Sequence, residues 1–73
     1  MPVNTDNVVD VFSYHAPTGD QPARYEAIRS AARAFAIVLL ENVPPCADQQ
    51  ACLRLLRESV MTANAAIALG GKV

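Results

Sequence analysis

The amino-acid sequence predicts an all-α protein: an antiparallel helical hairpin with a short N-terminal arm, assembled into a compact homo-oligomer. Three observations lead there. Two long segments, about residues 20–42 and 48–69, repeat apolar side chains at helical spacing. Between them stands Pro44–Pro45, in a link short enough to demand an antiparallel return. Finally, 73 residues that are 52% apolar, yet rich in alanine and without tryptophan, make a thin core that copies of the same chain would have to complete.

The arm comes first, residues 1–17. Within it "TDNVVDVF" fits a short helix capped by Asn4 or Thr5, or a brief extended piece. The run is too short for periodicity to decide, and the expectation leans to helix.

The next segment opens with two competing caps. Thr18 and Gln21 have capping-box spacing, while Asp20 is an alternative N-cap with Pro22 tolerated in the first turn. Ile28, Ala32, Phe35 and Leu39 then form the expected apolar stripe, widened by Ala31 and Val38. Towards its end "AFAIVLLENV" is apolar nearly all round, so more than one face should be covered. Pro44 and Pro45 end the helix, because neither continues the ladder and each restricts the residue before it.

Asp48 is the expected N-cap of the last helix. Leu53, Leu56, Val60, Ala63 and Ile67 keep a three-then-four spacing and share one stripe. "ESVMTANAAIAL" reads as close packing: alanines leave room for a neighbour's backbone, Asn64 is a polar handle, and Met61 is a core or interface residue. Gly70 and Gly71 supply the stop. The whole of 1–73 is expected to be one domain.

Chemistry-bearing residues are few. Cys46 and Cys52 are six apart; on one helix that spacing rises about 9 Å and turns the thiols to different faces, so no disulfide is expected. With His15 as the single histidine, no metal-ligand spacing exists, and no metal or cofactor is expected. No G-x-S-x-G elbow, H-E-x-x-H pair or phosphate-cradling glycine loop is present, and the carboxylates are scattered. The expectation is a protein that binds without catalysing. A net charge of −1 gives no field for DNA or an anionic membrane, and no apolar run spans a bilayer. The first ten residues lack a signal-peptide pattern, and free cysteines suit a reducing cytoplasm.

Four residues stand out as ligand-binding candidates: Tyr14, His15, Arg29 and Arg33. Arg29 and Arg33 lie one helical turn apart on one face, with Glu26 as the nearest acid in the helix. An aromatic ring beside a guanidinium is the minimal kit for a nucleotide, the ring stacking on a base and the fork holding a phosphate. Tyr14 on the arm supplies the ring. Each candidate also has a plainer reading. The arginines could line a solvated face. A histidine ahead of a helix more often satisfies a neighbouring carbonyl or carboxylate than binds a ligand. Tyr25 reads as packing against the arm or a neighbour. Arg54 and Arg57 read as surface or interface salt-bridge partners of Glu58 and Asp48.

One set of residues resembles a known family. His15-x-Pro17, Gln21, Arg24-Tyr25 and Ile28-Arg29, followed by "VMTANAAIA", are similar to the Acb2/Tad1 hairpin domain of bacteriophage proteins. The resemblance runs from Tyr14 almost to the end, and length and arm look most like the stand-alone members. It implies a sponge that holds the cyclic dinucleotide messengers of bacterial anti-phage (CBASS) immunity uncleaved, in the cytoplasm of the infected host. It further implies a hexamer with pockets between protomers, Tyr14 stacking on a base and Arg29 meeting the phosphates. Some members also hold cyclic trinucleotides in separate pockets. Many relatives place an arginine after "NAAIA", where this chain has Leu69, Gly70 and Gly71, and often a tryptophan at the position of Thr62. Those departures fall on the trinucleotide pocket and leave Tyr14 and Arg29 untouched. The rival expectation, from a different class, is an oligomeric hairpin that docks a host protein through its apolar second helix.

Overall fold

A computed structural model describes residues 2–72; the two terminal residues of the expected domain lie outside it. Three helices and no strand occur among the described residues: α1 (Val8–Val11), α2 (Gln21–Asn42) and α3 (Ala47–Ala68). Only α2 and α3 pack together, as an antiparallel hairpin.

Asn4 closes the turn that precedes the arm's helix. Its side-chain oxygen accepts from the backbone N–H groups of Asp6 and Asn7 at 2.8 and 3.2 Å, and Asn7 Oδ1 accepts from the N–H of Asn4 at 2.8 Å. Such a reciprocal pair nucleates a turn that four apolar-rich residues could not close alone. The helical reading of the arm therefore holds for Val8–Val11, but the N-cap is Asn7 and neither Asn4 nor Thr5, because the Asn4–Asn7 bonds close a turn ahead of the helix and winding begins only after it.

At α2 half of the expected capping box forms, Gln21 reaching back to Thr18, and no side-chain cap bond to the first helical N–H groups is present. The Thr18 N–H donates to Gln21 Oε1 and the Gln21 N–H to the Thr18 carbonyl, each at 3.0 Å. Asp20 is the N-cap, and Pro22 sits in the first turn. The other end of the Gln21 amide donates to the Ile67 carbonyl at 3.1 Å, tying the start of α2 to the end of α3. The helix stops at Asn42 because Val43, facing Pro44, is driven to extended backbone (φ −92°, ψ 130°).

The start of α3 corrects the sequence expectation. Cys46 is its N-cap, and Asp48 lies inside the first turn. Cys46 itself has extended backbone (φ −169°, ψ 176°), so winding begins at Ala47, and Asp48 instead complements the positive helix end. Gln49 is the buried polar residue here, 5% exposed; its Nε2 donates to the Val43 carbonyl at 3.1 Å. At the other terminus the Gly71 N–H reaches the Ala66 carbonyl and the Gly70 N–H that of Ile67. That pattern is a Schellman stop, and both glycines have the positive φ it needs.

The seam between the helices runs through Tyr25, Ile28, Ala32, Ala36 and Leu39 on α2 and through the predicted Leu53, Leu56, Val60, Ala63 and Ile67 on α3, all half-buried or better. Phe35 departs from expectation. It is 53% exposed, and Ala36 takes the seam position. Two small residues, Ala32 and Ala36, bring the backbones close, which leaves no room for a phenyl ring between them. Ala31 and Val38 likewise lie outside the seam, exposed.

A single seam buries little. The chain exposes 5471 Å², roughly a quarter more than the ~4,400 Å² of a compact monomer of this mass. Its radius of gyration of 15.2 Å exceeds the ~11 Å of a compact domain of this length.

Replacing Gln49 with Ala is expected to cost about 1–2 kcal/mol, by stranding the Val43 carbonyl, whereas Gln50→Ala, which removes only the bond its Nε2 donates to Gln49 Oε1 at 3.2 Å, is expected to cost less. Urea denaturation at one fixed protein concentration measures both.

Candidate functional site

The seam divides the hairpin into two faces of different chemistry. On one, Ile28, Ala31, Phe35, Ser59 and Ala63 border a hollow of about 320 Å³ with no charged side chain. On the other, Arg29 and Arg33 from α2 and Arg57 from α3 surround a hollow of about 310 Å³. Its floor is apolar, made by seam residues including Ala32, Ala36 and Val60.

Helical spacing puts Arg29 and Arg33 on this face, one turn apart, just outside the Ala32–Ala36 seam. Antiparallel register brings Arg57 to them. Gln21 meets Ile67 at one end and Val43 meets Gln49 at the other, so the middle of the hairpin sets Arg33 level with Arg57. The Arg29 Nη1 pairs with Glu26 Oε2 at 2.5 Å, one turn earlier. Both side chains are well exposed, so the pair orients the guanidinium more than it stabilises the fold. Among the described residues neither Arg33, Arg54 nor Arg57 forms an ion pair within the chain, so the salt bridges expected to Glu58 and Asp48 are absent there.

The arm carries the remaining candidates. Tyr14 is 87% exposed and Phe12 80% exposed, two aromatic rings turned to solvent. His15 Nε2 donates to the Asp10 carbonyl at 2.7 Å and lies 3.8 Å from Asp10 Oδ1. Imidazole thus closes the arm into a loop, with Tyr14 next to the closing bond. The Asp10 carboxylate also lies 4.0 Å from Lys72 Nζ, linking the arm to the chain end that follows α3. Tyr25 is half-buried on the seam, in line with its packing role.

Of the four sequence candidates, the fold therefore gathers Arg29 and Arg33 at one groove. Tyr14 is not among the residues bordering that groove, and His15 is engaged with its own arm. Sequence reasoning missed Arg57. The signal was available in the antiparallel register, once the two ends of the hairpin are matched.

No group of three or more potential metal ligands occurs among the described residues. No described helix is long and apolar enough to cross a membrane.

The family model for the Acb2/Tad1 hairpin domain matches residues 4–68. This chain belongs to the Acb2/Tad1 hairpin family. The match takes in the arm from Asn4, all of α1 and α2, and α3 to its final residue, so Tyr14, His15, Arg29, Arg33 and Arg57 all fall within it. No curated protein and no solved structure matches the chain.

The arm loop yields a direct test. His15→Ala is expected to leave helix content unchanged while backbone amides of residues 10–15 exchange with solvent several-fold faster, as followed by hydrogen exchange.

Proposed function

We propose that this protein is a sponge for cyclic dinucleotide immune messengers, holding them intact in the cytoplasm of a phage-infected bacterium so that CBASS effectors are not switched on. The observation that carries the reading is the placement of Tyr14 and Arg29. Both fall inside the family match, both are open to solvent, and they lie on separate parts of one chain. A neighbouring copy brings the Tyr14 ring of one protomer to the Arg29 of the next. The base then stacks on the ring and the guanidinium holds a phosphate.

Self-association belongs to the same proposal. Wide apolar sides on a thin hairpin favour a closed homo-oligomer, a hexamer in keeping with the family resemblance, with the ligand enclosed between protomers. Holding the ligand needs no nucleophile or metal. Slow release suffices.

Dinucleotides are the assigned ligand class. The residue that follows "NAAIA" is Leu69, 7% exposed, and Gly70 and Gly71 complete the helix stop. A trinucleotide pocket that depends on a cation at that point has no such side chain from this chain.

Two measurements test the reading. After incubation with cyclic GMP–AMP, gel filtration and heat denaturation, chromatography is expected to return intact ligand in stoichiometric amount; linear product would contradict it. In calorimetry, Tyr14→Ala and Arg29→Ala are each expected to weaken binding about tenfold or more without altering particle mass. Unchanged affinity in both variants would refute the assignment.

A further inference from the structure

We propose that Arg57 is a ligand-binding residue, forming with Arg33 a clamp for a second phosphodiester across the hairpin groove. This inference rests on the sponge reading and extends it from one phosphate contact to two.

Three guanidiniums surround one hollow, and Glu26 neutralises only Arg29 within the chain. Like charges gathered at one place disfavour each other unless an anion lies between them, so the groove favours a ligand of more than one negative charge. Arg33 and Arg57 come from different helices, level with each other in the antiparallel register. Their forks can therefore approach one phosphate from two sides, which a pair on a single helix cannot do.

The floor narrows the choice of anion. Ala32, Ala36, Leu53, Leu56 and Val60 offer a dry surface but no hydrogen-bonding group of their own side chains. A free phosphate would satisfy the guanidiniums and leave that surface wet. A nucleotide fits both, with a phosphodiester for the forks and a ring or sugar for the floor. At about 310 Å³ the hollow is at the small end for a ligand pocket, room for part of a dinucleotide. A cyclic dinucleotide has two phosphodiesters. With Arg29 on the first, Arg33 and Arg57 take the second.

The test is calorimetry on the full chain with two probes: cyclic GMP–AMP and the linear dinucleotide of the same bases. The variants are Arg33→Gln and Arg57→Gln, with Arg54→Gln as a control that removes a charge outside the groove. Sedimentation reports the particle mass of each. The expected result is a loss of about tenfold or more in affinity for each groove variant, with mass and the control unchanged, and a weaker dependence of binding on salt. Full affinity in Arg57→Gln and Arg33→Gln, with Arg29→Ala defective, would overturn the clamp and leave the sponge standing. Dissociation of the particle by the groove variants, with affinity per intact particle unchanged, would also overturn it, making the arginines interface residues. Binding of the linear probe alone, lost in both groove variants, would keep the clamp and remove the sponge reading. No binding of either probe would remove both.

Discussion

Two 22-residue helices meet along one narrow seam, and the closeness of that seam governs the rest of the molecule. Ala32 and Ala36 let the backbones approach, which sends Phe35 to the edge, while Ile28 and Leu39 flank the alanines on the seam and Ile37, Val38 and Leu40 stay off it. A close contact between two rods is also a small one. Ile67 and Leu69 are the buried apolar residues of the described chain, while Phe35, Ile37, Val38, Leu40, Leu55 and Met61 remain at least half exposed. Burial of apolar surface is the main favourable term in folding, so a hairpin with so little of it gains from every copy that covers its sides.

The polar details serve that seam. Gln21 and Gln49 sit at opposite ends of the hairpin and each donates to a backbone carbonyl of the other helix's end or its connection. They fix the register without using charge. Because the register is fixed, the charged groove and the uncharged hollow fall on opposite faces of the same seam. The proposed contact between copies and the proposed anion site therefore need not compete for one face. The exposed Tyr14 ring, on an arm closed by His15 and Asp10, belongs to neither face of its own hairpin.

Punctuation was the most legible part of the sequence. Pro44–Pro45 and Gly70–Gly71 act through local backbone geometry alone, and the helix ends fall within a residue of where they place them. The α3 stripe was legible too, because leucine, valine and isoleucine at seam positions contrast with the polar residues between them. On α2 the apolar residues run nearly all round, so periodicity could not separate Phe35 from Ala36; close approach of the partner helix decided it. The Asp48 cap failed for a related reason. The helix winds from Ala47, directly after the extended backbone of Cys46, so Asp48 falls inside the first turn where it cannot cap. Among site residues, Arg29 and Arg33 were visible from spacing within one helix, whereas Arg57 needed the register between two. The nearness of Tyr14 to Arg29 in sequence does not become nearness at the groove of one chain.

All of this turns on whether the hairpin exists alone. Sedimentation velocity over a dilution series from high to low micromolar, with and without cyclic GMP–AMP, addresses it most directly. A particle several times heavier than the 7.8 kDa chain, persisting on dilution and unchanged in mass when ligand binds, is the predicted result. A 7.8 kDa species that stays folded and still holds the ligand at full affinity would contradict the account.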